Sequence, residues 1–217
     1  MMEFYMKRTM YFFLLAAVIA TLFAGCASTE TTTFTDPEFR GKQFSSICVL
    51  AEVSDLKYKQ KIEKEMAKLL SEKGISARSG SQLFPPTREW SEEQMQEVLM
   101  NEKIEGYLLI SWKDKHVQET YKPGNTVTET KGEVKKQGGK DVYRERSVTS
   151  QTGGSVEKEF RSYFEAKLFD VRTKATAWIA TSHSQSGEWF GSDFDLIIES
   201  YTEDLVNNLK KDGFIRK

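Results

Sequence analysis

Cysteine and histidine are the residue types in this chain with the most distinctive chemistry, and each occurs only twice. Cys26 follows an apolar run and two small residues, Ala24 and Gly25. In bacterial export signals this pattern marks a cysteine whose thiol accepts diacylglycerol before the peptide bond in front of it is cut. We therefore predict a signal-peptidase cleavage site at Gly25 and Cys26. Cys26 would carry diacylglycerol and an N-acyl chain such as palmitate.

The segment before Cys26 has the charge order of a signal peptide. Two basic residues, Lys7 and Arg8, precede an apolar run over 11–23. That run is too short to cross a bilayer as a helix, so residues 1–25 are predicted to be an export signal that is removed. Met6 offers an alternative translation start to Met1.

The residues after Cys26 bear on the location of the mature protein. Ala27 and Ser28 follow it, and no Asp stands at the second mature position, where it would favour inner-membrane retention. The pattern predicts a cell-envelope protein, on the outer membrane and facing the periplasm if the organism has two membranes. Residues 26–43 are polar and rich in Thr, which predicts a lipidated cysteine followed by a flexible tether.

The other candidates for chemistry are weak. His116 and His183 each lack a closely spaced second ligand, so no metal site is predicted. Spacing alone does not exclude a Ser-His-Asp triad, but the chain has no Gly-x-Ser-x-Gly elbow. Cys48 lies in an apolar run and is predicted to be a buried, unreactive thiol. We predict a protein that is not an enzyme and has no cofactor besides the lipid.

The charge balance excludes one class of partner. The chain has 31 Lys and Arg against 32 Asp and Glu, whereas a nucleic-acid-binding protein would carry a basic patch. Trp189 and Phe190 form an aromatic pair between Gly187 and Gly191. Two interpretations of the pair stay open: it contacts a protein partner, or it packs against the helix that follows.

Patterns of apolar residues predict the elements of one domain over 44–217. An apolar run after Phe44 is typical of a strand, and Asp55 is placed to cap the helix that follows. Ser91 and Gln94 form a capping box that predicts a second helix from about 92 to 103. Between the strand that starts at Gly106 and the last third of the chain, the residues are polar and rich in Gly.

This polar region, at about 113–157, is predicted to form extended strands joined by long, partly flexible hairpin loops, and disorder over part of 122–154 is an alternative. From Val156 onward, apolar and polar residues alternate, which predicts a hairpin of two strands, with Trp178 in the core. A final amphipathic helix starts near Ser192.

The predicted fold is therefore α/β (α+β), with a single mixed β-sheet and about three helices packed largely on one face. The order of elements is βαβαβ, a polar hairpin, and then ββα.

This order resembles the small α/β domain of bacterial envelope lipoproteins, including the curli-secretion lipoprotein and the amino-terminal domain of the Tol-Pal translocation protein. Four features carry the resemblance: the strand at 46–50 before Asp55, the strand at 105–110, the turn at 170–173 before Trp178, and the helix end at 212–214. The resemblance implies a scaffold or a partner of other envelope proteins.

Together these observations predict a non-enzymatic, membrane-anchored lipoprotein that binds or scaffolds components of an envelope assembly. Its partners would be the membrane and other envelope proteins, with contacts on the 113–157 region and at 187–191. A small-ligand or lipid carrier is the alternative, and an envelope hydrolase ranks third.

Overall fold

The computed structural model describes residues 27–122, 124, 126–137, 140–151, 153–187 and 194–216. Within them lie a short 3-10 turn at Pro37–Phe39, eight strands and four helices. In chain order these are β1 Ser28–Thr35, β2 Ser46–Glu52, α1 Leu56–Glu72, β3 Ser76–Ser79, α2 Gly80–Leu83, α3 Glu92–Asn101, β4 Gly106–Lys122, β5 Thr126–Gln137, β6 Lys140–Gln151, β7 Ser155–Asp170, β8 Thr176–Gly187 and α4 Phe194–Lys211.

Six strands form one mixed sheet in the order β1-β8-β7-β4-β2-β3. The strand β2 runs parallel to β3 and β4, whereas β8 runs antiparallel to β1 and β7. The predicted fold class, an α+β domain with a single mixed sheet, is confirmed. The predicted order of elements is also present, with β1 and the short α2 added to it.

The long helices α1 and α4 cover one face of this sheet. Ile47 and Val49 of β2 belong to the same apolar cluster as Ile62 of α1 and Leu205 of α4. Because successive strand residues point to opposite faces, Cys48 points away from this cluster. The main core therefore lies between the sheet and the two long helices.

The shorter helix α3 packs on the opposite face. Leu99 of α3 lies in a second cluster with Cys48, and the half-buried Leu50 and Tyr107 pack against it. The expectation of helices largely on one face therefore describes α1 and α4 but not α3. Helical periodicity shows that an element has an apolar face, but it does not show which side of a sheet that face will meet.

Part of the segment predicted to be a flexible tether forms a strand in the structure. Residues Ser28–Thr35 form β1, and each of its eight residues pairs with β8. Thr31 makes a hydroxyl–hydroxyl hydrogen bond of 2.7 Å to Ser182, and Thr29 makes one of 2.8 Å to Ser184. Because Thr is β-branched and favours strands, a polar Thr-rich run forms an edge strand here instead of a linker.

A smaller unit comprises Gln118–Lys158. In it, β5 and β6 pair antiparallel without a break from Thr126↔Gln151 to Gln137↔Lys140, which agrees with the predicted hairpin. Lys122 forms an ion pair of 2.7 Å with Glu157.

Several local predictions about helix and core residues are confirmed. Ser91 and Gln94 form the reciprocal capping box of α3, and Asp55 accepts a hydrogen bond from Lys57 N at the start of α1. Trp178 is fully buried, and its Nε1 donates to Asp212 at 2.7 Å. None of the helices described here is long and apolar enough to cross a membrane.

Candidate functional site

The strand β7 shows why one side of the sheet is available for binding. Its side chains alternate between a buried face under the long helices and a face that stays half-buried or exposed. Phe164 and Leu168 are fully buried, whereas Arg161 and Tyr163 point to the other side. The helix α3 covers this second side only near β2 and β4, so the part formed by β1, β8 and β7 is uncovered by any described helix.

Two rows of polar side chains cross this uncovered face. The strand register places Glu30 opposite His183 and His183 opposite Tyr163. The rings of Tyr163 and His183 lie 4.7 Å apart, tilted by 52°. The adjacent row is Ser28, Gln185 and Arg161. The rows combine flat rings with hydrogen-bonding groups, a combination typical of binding surfaces.

Charged side chains on this face are paired with their neighbours. Arg161 donates two hydrogen bonds of 3.0 Å to the carboxylate of Glu159, and these bonds raise the pKa of Arg161. Lys167 lies 2.8 Å from Glu165, and its hydrogen bond lowers the pKa of the Glu165 carboxyl, although burial opposes that change. Both pairs reach solvent, although only Arg161 is exposed rather than half-buried, so they orient the side chains more than they stabilise the fold.

These rows line a groove of about 830 Å³ on the main unit. The middle of β4 contributes Asp114 and His116 to it. The other residues that line the groove are Ser28, Thr29, Glu30, Arg161, Ser162, Tyr163, His183, Ser184 and Gln185. Its size falls within the range of roughly 300–1,000 Å³ found for small-ligand sites, but it is open to solvent and lined by polar residue types.

Two common catalytic arrangements were sought among the described residues of the groove. Among the described residues, no group of three His, Cys, Asp or Glu side chains could hold a metal ion. A nucleophile needs a general base within hydrogen-bond reach. No hydrogen bond joins either histidine to a serine or carboxylate in the part of the chain that the structure describes; the serines Ser182 and Ser184 bond instead to threonines of β1.

The four residues named individually as predicted sites fall outside the described part of the chain. Gly25 and Cys26 precede it, and Trp189 and Phe190 lie in the gap between β8 and α4. The first residue after Cys26 is described: Ala27 packs against the main core, and β1 begins at Ser28. The position of the predicted lipid is therefore one residue from the folded domain.

The sequence analysis assigned no role to the two histidines, but the structure brings them together. His116 is on β4 and His183 on β8, and both line the same groove because β7 alone separates those strands. No local signal could have predicted this, since the two residues are far apart in sequence. The alternation of polar and apolar residues along β7 did indicate that one face is exposed.

The remaining cysteine matches the prediction of an unreactive thiol. Cys48 is fully buried in the cluster beneath α3. Burial, together with the nearby Glu63 carboxylate, raises the pKa of the Cys48 thiol to about 12. A thiol with such a pKa supplies almost no thiolate at neutral pH, so Cys48 is a core residue.

Comparison with known proteins gives only distant structural likenesses. No protein-family model matches the chain, and no curated protein matches it. A PelC dodecamer from Paraburkholderia phytofirmans shares 14% identity at a TM-score of 0.45, over 87% of this chain and 99% of that one. Lipoprotein GNA1162 from Neisseria meningitidis shares 16% identity at a TM-score of 0.41, over 77% of this chain and 99% of that one. A PDZ domain protein from Parabacteroides distasonis shares 10% identity at a TM-score of 0.29, over 90% of this chain and 38% of that one. These likenesses are too distant to assign an activity.

Proposed function

We propose that this protein is a non-enzymatic envelope lipoprotein, anchored through lipid on Cys26, that binds another envelope component through the uncovered sheet face. The outer membrane, facing the periplasm, is its location in an organism with two membranes. The observation that carries the proposal is the groove on the face of β1, β8, β7 and β4, where two rows of polar and aromatic side chains lie outside the core.

The start of β1 supports a binding site held close to the membrane. Ser28 both begins the strand and lines the groove, and two extended residues reach at most about 7 Å. A lipid on Cys26 therefore holds the groove near the bilayer surface. Partners in the same membrane, or in its headgroup layer, are the components that such a groove meets.

The volume of the groove favours a second candidate function, the binding of a small polar ligand. Sites of this kind enclose most of the ligand, whereas the groove here is open along the sheet. We rank a carrier second for this reason. Native mass spectrometry of the protein released from membranes in mild detergent tests it: a retained small molecule, lost in a His183→Ala variant, would move the carrier to first place.

A first experiment tests the anchor. Cells that express the full chain are grown with an alkyne analogue of palmitate, and the protein is examined for label. We expect label on the wild type and none on Cys26→Ser. Equal labelling of the two, or no labelling of the wild type, would contradict lipidation at Cys26.

A second experiment tests the binding face. The full-length protein is cross-linked in its native envelope and purified, with a Tyr163→Ala/His183→Ala variant beside it. The matched control is Lys64→Ala/Lys68→Ala, two exposed positions on α1. We expect the same partners from the wild type and the control, and a loss of at least tenfold from the groove variant. Unchanged capture by the groove variant would place the binding surface elsewhere.

A further inference from the structure

The two edges of the six-stranded sheet differ in how they are protected. At one edge, β3 has only four residues, carries Arg78, and leads directly into α2. Arg78 forms an ion pair of 2.8 Å with Glu102. Short length and charged side chains are the usual means by which proteins keep an edge strand from pairing with another chain. The β3 edge is closed to a further strand in this way.

The other edge lacks these protections. The strand β1 has eight residues, pairs with β8 without a register shift, and contains no Pro, Gly or Lys. Its only charged residue is Glu30. Among the described strands none pairs with its outer side, and in an antiparallel ladder about half of the backbone groups of an edge strand point outward. This is a long, regular and nearly neutral strand edge.

We propose that β1 pairs antiparallel with β1 of a second copy of this chain, which makes a two-fold dimer with one continuous sheet. This inference goes beyond the proposed function and does not depend on the lipid. A second copy is favoured because the edge is complementary to itself. In such a dimer the helices of both copies lie on one side of the continuous sheet. Each residue of β1 must therefore lie opposite a residue that points to the same face.

Two registers meet that requirement over most of β1 and separate the charges. With Thr31 on the two-fold axis, Glu30 lies opposite Thr32 of the second copy and Thr29 opposite Thr33. With Thr32 on the axis, Glu30 lies opposite Phe34, which is 65% exposed in the single chain. Both registers place Thr opposite Thr on the helix-covered face, a favourable cross-strand pair. Neither places Glu30 opposite Glu30.

The dimer has a consequence for the groove. The two-fold axis is perpendicular to the sheet, so both uncovered faces lie on the same side. Ser28 and Glu30 line the groove and also belong to the pairing strand. The two grooves then become parts of one surface that crosses the dimer axis.

Cysteine cross-linking in membranes that contain the full-length protein tests the pairing. Thr31→Cys and Thr32→Cys lie at or next to the proposed axis, whereas Ser28→Cys lies at the end of β1, and Ser76→Cys lies on the β3 edge. Cys48 is buried and contributes no background, and the unaltered chain controls for Cys26. We expect a disulfide-linked dimer from Thr31→Cys or Thr32→Cys and none from the other two positions. Equal trapping at Ser76→Cys, or none near the axis, would overturn the proposal.

A second variant tests the same edge without relying on disulfide geometry. Glu30→Lys/Thr32→Lys introduces like charges opposite one another in both registers, at two exposed positions of β1. The matched control is Ser76→Lys on the β3 edge. The mass of each protein in mild detergent is measured by light scattering with detergent subtraction. We expect a dimer for the wild type and the control, and a monomer for the β1 variant. A monomeric wild type, or a dimer that survives in the β1 variant, would contradict β1 pairing.

Discussion

Over β1, β8 and β7, the two faces of the sheet are built from the same strands but differ in burial and polarity. On β7, Phe164 and Leu168 are fully buried on one side, whereas Arg161 and Tyr163 reach solvent on the other. The covered side, together with the apolar cluster beneath α3, supplies the free energy of folding, because burial of apolar surface is its main source. The uncovered side contributes little to stability, so its side chains are free to serve recognition. Substitutions on the two faces should therefore separate stability from binding.

The largest expected effect is on the covered face. Trp178→Ala removes a fully buried indole and its hydrogen bond to Asp212, which should lower the free energy of unfolding by about 3–5 kcal/mol. Urea denaturation, monitored by circular dichroism, measures this loss in the free energy of unfolding. Gln185→Ala, at an exposed position of β8 on the uncovered face, is the control and should change stability by no more than about 0.5 kcal/mol. Similar losses for the two variants would contradict the division between the faces.

A buried carboxylate on the covered face gives the next effect. Glu63 of α1 is fully buried and accepts hydrogen bonds from Ala51 N, Ser79 Oγ and Ser81 N at 3.1, 2.8 and 2.7 Å. Glu63→Ala should cost about 1–3 kcal/mol for each buried donor that stays unsatisfied. The same denaturation measurement applies, with Glu72→Ala at an exposed position of α1 as the control. Equal stability of the two variants would show that water replaces the carboxylate.

Acid should weaken the turn between β7 and β8. Burial alone would raise the pKa of the Asp170 carboxyl, but hydrogen bonds from Lys42 and Thr173 outweigh it and lower the pKa below 3.8. The ionised carboxylate therefore stabilises the fold fully above its unfolded pKa, and this contribution disappears as the pH falls through the lower folded pKa.

Asp170→Asn should cost about 1.5–3 kcal/mol at neutral pH, the value of hydrogen bonds to a charged group. Unfolding free energies of the wild type and the variant, compared at about pH 6 and about pH 3, should converge toward the acidic end. A difference that stays constant over that range would mean that the charge of Asp170 is not the source of the stabilisation.

The smallest effect on stability is expected in the groove. His183→Ala and Arg161→Ala are exposed substitutions and should change the free energy of unfolding by no more than about 0.5 kcal/mol. The same variants should reduce partner capture in cross-linked envelopes. A loss of stability above that limit would mean that the groove residues support the sheet and that the separation between the faces is incomplete.

The sequence by itself determined the local structure of this protein. The capping box of Ser91 and the cap of Asp55 predicted the starts of two helices, because these side chains satisfy backbone donors within one turn. Gly74 and Gly213 have φ of +79° and +86°, as expected for residues that end helices. The alternation along β7 predicted a strand with one buried face. The apolar run around Cys48 predicted a buried thiol.

Only the tertiary structure decided how those elements combine. The strand β1 forms because β8 supplies hydrogen-bond partners to a Thr-rich segment that, taken alone, resembles a tether. The helix α3 packs opposite α1 and α4, since an amphipathic pattern does not encode which side of the sheet it meets. His116 and His183 share a groove because the strand order places β4 and β8 on either side of β7. Pairings between residues distant in sequence depend on the whole chain folding at once, and no local pattern contains them.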